Sequence, residues 1–313
     1  MDNPMHRFLF GPVNSRRLGR SLGVDLLPFK TCSLDCIYCE CGWTTDKTLT
    51  RAELVPTANV IAELDDYLPT NPDVDYVTFS GSGEPTLHTG IGTIIEHLKQ
   101  TYPQIKVAVL TNGTLLGDPA VQAALAKADL VAPSLDGATE TAFQAICRPA
   151  DGVTVAAVID GIASFRRQFA GLLLLEIFIV PGINDSPDEL AALKQAATFI
   201  NPTAIQLNTL DRGAPHSEVT RPDEDALRAI RDGFEPLQIQ TVRRRKKNEP
   251  VPWGDPIVFQ DILKILAKGP TTFANLSLTA GIREGDLAKT LVQMSSQALL
   301  RYENDGGDVR LLS

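Results

Sequence analysis

Long apolar runs are missing from this 313-residue chain. The richest, Leu172–Val180, is short and interrupted by Glu176, far below the roughly 20 residues a membrane-spanning helix requires. Met1–Phe10 carries no apolar signal-peptide core, so a soluble protein with no membrane partner is expected. Positive charge is in deficit too. Against 38 Asp and Glu stand 29 Lys and Arg, a net charge of −9, which leaves no global field to gather nucleic acid or anionic membrane. A polyanionic partner would need a local patch. Cysteine is scarce, and its placement is unlike a disulfide framework: of five residues, four crowd between Cys32 and Cys41 and one stands alone at Cys147. That usage suits a reducing, cytoplasmic setting. Internal repeats and low-complexity tracts are absent as well.

What is present is an alternation of short β-branched runs with longer segments of helical period, the pattern of parallel strands joined by helical crossovers. Strands are expected near Leu22–Leu27, Tyr76–Ser80, Lys106–Leu110, Leu130–Ser134, Leu173–Val180 and Ala204–Asn208. Between them, Val60, Ile61, Leu64 and Leu68 mark one helical face, as do Ile91, Ile94, Ile95 and Leu98, and then Val155, Val158, Ile159, Ile162 and Phe165. Six such units predict an α/β fold, a partial (β/α)6 TIM-like barrel over residues 1–242, with function in the loops after the carboxyl ends of the strands. Arg243–Lys247 is a run of five cations followed by prolines, read as a linker over 243–250. Beyond it, helical patterns at Ile257–Leu266, Leu276–Ala280 and Glu284–Met294 precede two strand-like runs, 299–302 and 309–312. These flank Asn304-Asp305-Gly306-Gly307, so residues 251–313 read as a winged-helix-like domain.

Cys32-Ser33-Leu34-Asp35-Cys36-Ile37-Tyr38-Cys39 begins just past the first strand and puts three thiols in one short loop. Three thiolates can hold three irons of a [4Fe–4S] cluster and leave the fourth for a small-molecule ligand. The spacing differs from the Cys-x2-Cys-x2-Cys run of ferredoxins and lacks the separated Cys-x2-Cys pairs of a zinc ribbon. A structural zinc knuckle using Cys41 as fourth ligand is the alternative.

This run resembles the signature of the radical S-adenosylmethionine (radical SAM) enzymes. The resemblance implies Cys32, Cys36 and Cys39 as cluster ligands and S-adenosylmethionine (SAM) on the open iron, with Tyr38 near the adenine or covering the cluster. Gly81-Ser82-Gly83-Glu84-Pro85 follows the second strand and resembles the family's Gly-Gly-Glu loop, which meets the methionyl ammonium of SAM. Ser82 replaces one glycine of the pair. Glu84 should either meet the ammonium or hold the loop in shape. Ser134 and Glu176 lie where related enzymes contact the ribose or carboxylate of SAM, though each also suits a strand-end cap. Arg16, Arg17, Asn112, Asp136, Arg148, Asn184, Asn208 and Arg212 are the candidate substrate contacts.

The amino-terminal segment Gly11–Asp25, the Gly-Glu-Pro-Thr loop, Arg148-Pro149 and Gly182-Ile183-Asn184-Asp185 resemble a branch of radical SAM proteins similar to wybutosine-synthesis enzymes that act on tRNA. Those relatives carry a second cluster held by cysteines upstream of the first. Here no cysteine precedes Cys32, and Cys41 and Cys147 read better as a loop thiol and a small buried hydrophobe. The expected function is therefore reductive cleavage of SAM to a 5′-deoxyadenosyl radical and hydrogen abstraction from a small molecule, peptide or RNA, with flavodoxin or ferredoxin as electron donor. The contrasting reading is a non-catalytic iron–sulfur redox sensor with a DNA-binding winged helix. Against DNA, residues 251–313 hold six Lys and Arg and seven Asp and Glu, poor for a phosphate-reading surface.

Overall fold

The computed structural model describes residues 7–15, 18–210, 219–241, 256–267, 271–280, 284–296, 302–305 and 308–311. Two compact units are present. The first comprises Met1–Cys36, Thr44–Thr209 and Thr220–Arg243; the second comprises Ile37–Trp43, Leu210–Val219 and Arg244–Ser313.

The first unit is built on one eight-stranded sheet. Its strands are β1 (Leu9–Ser15) and β2 (Gly19–Val24), then, after the two-residue ladder of β3 (Thr31–Cys32) with β4 (Asp46–Lys47), β5 (Tyr76–Phe79), β6 (Lys106–Thr111), β7 (Leu130–Pro133), β8 (Leu172–Phe178), β9 (Ala204–Asn208) and β10 (Ile239–Thr241). Spatial order follows chain order, β1-β2-β5-β6-β7-β8-β9-β10, and every pairing from β2 to β10 is parallel. A sheet wound in one sense puts all its crossovers on one face, the topology of a partial barrel. Strands buried on both faces read as unbroken apolar runs, as in Leu130–Pro133, where all four residues are buried.

The crossovers are α1 (Thr57–Tyr67), α2 (Ile91–Thr101), α3 (Pro119–Leu125), α4 (Glu140–Cys147), α5 (Val155–Gln168), α6 (Pro187–Ile200) and α7 (Glu224–Gly233). Most of the expected faces are buried: Val60 and Leu64 on α1, all four isoleucine and leucine positions of α2, and Val155, Val158, Ile162 and Phe165 on α5, whereas Ile61 and Ile159 are partly exposed. Side chains of Asp118, Thr139, Thr154, Ser186 and Asp223 accept the free N–H groups of the turns they open.

All six expected strands form, with shifted ends that have visible causes. β2 stops at Val24 rather than Leu27 because the Asp25 carboxylate turns back to accept from Leu27 N at 3.3 Å. β8 stops at Phe178 rather than Val180, where Asn184 Oδ1 takes the Val180 N–H at 2.7 Å. Two strands of the eight-stranded sheet were not expected. β1 pairs antiparallel with β2 at the sheet edge; its Gly11-Pro12 reads as loop, and the register shift between Phe10 and Val13 accommodates it there. β10 adds beyond β9 with only three residues, too few for a periodic signal.

In the second unit, α8 (Pro256–Leu266), β11 (Thr271–Thr272), α9 (Phe273–Ala280), α10 (Glu284–Ser296), β12 (Tyr302–Asp305) and β13 (Asp308–Leu311) follow in order, with an antiparallel sheet ordered β11-β13-β12. Ile262, Leu266, Leu276, Leu287, Leu291 and Met294 are buried. The expected strand residues Leu299–Arg301, the basic run and the whole 243–250 linker lie outside the described residues. Among the described residues, no helix is long and apolar enough to cross a membrane.

Candidate functional site

The carboxyl ends of β2, β5, β6, β7, β8 and β9 share one edge of the parallel sheet, and a continuous set of hydrogen bonds joins the segments that leave them. Where β2 ends, Asp25 Oδ2 accepts from Ser82 N at 3.0 Å and from Ser82 Oγ at 2.8 Å. The Gly81–Pro85 loop then lies against the segment leading to Cys32: Lys30 N donates to Ser82 O at 3.1 Å and Glu84 N donates to Thr31 O at 3.2 Å. This contact explains both glycines. Gly81 has φ +134°, and a Cβ there would run into the Asp25 carboxylate; a Cβ on Gly83 would overlap the Thr31 carbonyl oxygen.

Glu84 is buried beneath this junction. Its Oε1 accepts from Thr86 N at 3.0 Å, Thr86 Oγ1 at 2.6 Å and Thr111 Oγ1 at 2.7 Å, and its Oε2 accepts from Asn112 N at 2.7 Å. Burial pushes the carboxyl above the ordinary carboxylate range, while bonds from Asn112, Thr86 and Thr111 pull it back. Of the two roles expected for Glu84, these partners serve the second, holding the loop in shape.

The cysteine loop is pinned from two sides. Cys32 ends β3, paired with Lys47 on β4, and Thr48 N donates to Cys32 O at 2.9 Å. From the end of α4, Cys147 O accepts from Asp35 N at 2.9 Å, and Ala150 N donates to Ser33 O at 2.9 Å. Arg148, the left-handed residue closing α4, takes Lys47 Nζ on its carbonyl at 3.3 Å. Desolvation, then the Glu84 carboxylate and Cys36, pushes the Cys32 thiol up to about 12. A hydrogen bond with Cys36, then burial, holds the Cys147 thiol well above the usual thiol range.

None of the five cysteines is in a disulfide, and Cys32, Cys36 and Cys39 are each partly exposed. Among the described residues, no three His, Cys, Asp or Glu gather as one ion would need. Tetrahedral zinc with bonds of about 2.3 Å draws its sulfurs to about 3.8 Å of one another. A cubane cluster takes each thiolate on a separate iron, and three thiols within one short loop are the donor set it needs.

The family model described as the Radical SAM superfamily matches residues 26–193, more than half of the chain. The chain belongs to the radical SAM superfamily. Its cofactors are accordingly a [4Fe–4S] cluster and SAM, and its chemistry is SAM-dependent radical chemistry. A UPF0026 protein of Helicobacter pylori is 34% identical over 240 residues, covering 75% of this chain and 76% of the relative. A Brachyspira hyodysenteriae protein named GTPase Obg is 32% identical over 300 residues, and there the match covers 94% of this chain but 43% of the relative. The crystal structure of a radical SAM methyltransferase from Sphaerobacter thermophilus superposes with a TM-score of 0.54 at 16% identity, covering 72% of this chain and 66% of that one, a likeness of fold.

Asn112 links Glu84 to Cys32: its backbone N donates to Glu84 Oε2 at 2.7 Å, and its Nδ2 lies 3.5 Å from Cys32 Sγ. Ser134 and Glu176 are bridged as strand partners, both partly exposed at the sheet edge. Asn208 is also partly exposed there, and its carbonyl accepts from Ile179 N at 2.9 Å. Two expected substrate contacts are buried and hydrogen-bonded within the protein. Asn184 is fully buried and donates to Asp136 O and Phe178 O, each at 2.7 Å, while Asp136, also buried, accepts from Phe178 N at 2.8 Å. Both residues fasten the loop after β8 to the end of β7. Tyr38 and Cys39 fall in the 37–43 segment of the second unit, Cys41 is buried, and Arg16, Arg17 and Arg212 lie outside the described residues. Asp25, Thr86 and Thr111 were missed. An acidic residue leaving a strand just before the cysteine loop was the available signal for Asp25; nothing in the sequence distinguishes the two threonines.

Proposed function

We propose that Cys32, Cys36 and Cys39 hold the [4Fe–4S] cluster and that the Gly81–Pro85 loop, with Ser134, Glu176 and Tyr38, receives SAM beside it. The observation that carries this reading is the backbone pairing of the glycine loop with the segment entering Cys32, which supports a shared site for the loop and the first thiol. The bound cofactors supply one-electron cleavage of the S–C5′ bond and a 5′-deoxyadenosyl radical for hydrogen abstraction. The chain's own part is to fix geometry: Asp25 and Glu84 hold the loop, and the clamp from α4 holds the base of the cysteine run. Anaerobic reconstitution with iron and sulfide, reduction by dithionite and assay of 5′-deoxyadenosine tests the reading. Formation of 5′-deoxyadenosine supports the enzyme; a full cluster that never cleaves SAM favours the iron–sulfur sensor.

The electron donor in this reading is a flavodoxin or ferredoxin, and the setting is the cytoplasm. Substrate candidates are Asn208 at the end of β9, Arg148 at the end of α4, and Arg16, Arg17 and Arg212. The helix–strand–helix–helix–strand–strand order of the carboxy-terminal unit supports a winged-helix assignment, and its near-balanced charge supports docking to protein rather than reading DNA. The wybutosine-type resemblance makes tRNA the nucleic acid to test. Filter binding of tRNA and duplex DNA over a salt series decides the matter: steeply salt-dependent tRNA binding, lost on neutralising residues 243–247, supports an RNA substrate, whereas sequence-specific duplex binding refutes the docking role.

A further inference from the structure

We propose that Asn112 is a positioning residue that aims one amide hydrogen at the Cys32 sulfur and thereby raises the reduction potential of the cluster. The inference rests on the reading of Cys32 as a cluster ligand and adds a residue to that site.

The orientation of the Asn112 amide follows from donor and acceptor bookkeeping. Thr114 N, which can only donate, lies 3.1 Å from Asn112 Oδ1, so that atom is the carbonyl oxygen and the NH2 group faces the cysteine loop. There it reaches Ser33 Oγ at 2.8 Å and Cys32 Sγ at 3.5 Å. Three side chains close a ring: Thr114 Oγ1 donates to Asn112 Oδ1 at 2.8 Å, Ser33 Oγ lies 2.7 Å from Thr114 Oγ1, and Asn112 Nδ2 donates to Ser33 Oγ. Thr114 spends its only hydroxyl hydrogen on Asn112, so Ser33 must donate to Thr114. Ser33 Oγ therefore receives one amide hydrogen. The ring uses one N–H of the amide, and the second is left for Cys32 Sγ.

The backbone beneath this amide is equally constrained. Asn112 N donates to Glu84 Oε2, Gly113 N donates to Thr111 Oγ1 at 3.1 Å, and Gly113 sits at φ +79°, where a side chain would be strained. The amide is thus held in place before any cofactor arrives. An N–H pointed at a ligand thiolate stabilises the added negative charge of the reduced cluster more than it stabilises the oxidised form, so it raises the potential. Through Glu84, the same asparagine is tied to the Gly81–Pro85 loop.

The test uses full-length protein reconstituted anaerobically, with iron content measured first. EPR-monitored redox titration of wild type, Asn112→Ala and Asn112→Asp should show both variants moving to lower potential. At the wild-type midpoint the ratio of reduced to oxidised cluster should fall by about tenfold, equivalent to about 59 mV for one electron. Wild-type protein with 15N in its asparagine side-chain amides should also show a 15N coupling to the reduced cluster by pulsed EPR, lost in Asn112→Asp. An iron-loaded wild type without that coupling, or iron-loaded variants at the wild-type potential, overturns the role of Asn112. Variants that fail to hold iron leave the wild-type 15N measurement as the deciding result. A cluster retained in full by Cys32→Ala protein overturns instead the ligand reading on which the inference rests.

Discussion

Asp25 and Ser82, 57 positions apart in the chain, meet through two hydrogen bonds on a single carboxylate oxygen, at 3.0 Å to the backbone N–H and 2.8 Å to the hydroxyl. Ser82 is therefore an anchor of the Gly81–Pro85 loop, and Gly81 is the glycine that lets the anchor form.

From this follows the first expectation. Asp25→Ala protein should keep its iron but bind SAM about tenfold more weakly, since losing a hydrogen bond to a charged acceptor costs about 1.5–3 kcal/mol and only part of that falls on the bound loop. Isothermal titration against wild type is the measurement, and equal affinities would remove Asp25 from the site.

Glu84→Gln should lower stability by roughly 1–3 kcal/mol, because the amide must turn its NH2 group either toward Thr86 N or toward Asn112 N, each of which can only donate. Urea unfolding of the cluster-free protein reads this directly. Glu84→Ala with an intact cluster should also lose SAM affinity through the loop; an unchanged affinity would confine Glu84 to folding.

The three cysteines of the loop should be separable from the other two. Alanine at Cys32, Cys36 or Cys39 is expected to abolish the cluster, whereas Cys41→Ala and Cys147→Ala should retain full iron after anaerobic reconstitution. Complete loss of iron in Cys41→Ala would defeat the three-ligand assignment.

His88 makes stability depend on pH. It is buried, with Nε2 2.7 Å from Val55 O and Nδ1 accepting from Gly90 N at 3.1 Å, a pattern only the neutral ring can satisfy. Burial depresses its pKa below the ordinary 6.5. As pH falls below about 6.5 the unfolded chain binds the proton first, so the stability held above that pH declines, by at most about 1.4 kcal/mol per pH unit from this group. Urea midpoints at pH 7.5 and 5.5 should differ in wild type and differ less in His88→Gln. Identical pH dependence in the two proteins would exclude His88 as the source.

The sheet and the cysteine loop were legible in advance because both are local signals. β5, β6, β7 and β9 are short apolar runs buried on both faces, and their composition marks them without reference to any neighbour. Edge strand β1 was not legible, since its Gly11-Pro12 is tolerable only where β2 offers an antiparallel edge and a register shift.

At the site, residue types along the chain determined which groups could do chemistry: three thiols at Cys32, Cys36 and Cys39, and a glycine-rich loop bearing Glu84. Sequence alone left the polar residues of the later loops undifferentiated, because an asparagine reads the same whether its amide is spent inside the protein or turned outward. Tertiary structure decided that Asn184 is consumed by Asp136 and Phe178, that Glu84 is enclosed by Thr86, Thr111 and Asn112, and that Asn112 reaches Cys32. Hydrogen-bond partners 28 to 80 positions apart are set by strand order and register, and the finite number of donors on each group then settles which partner each one takes.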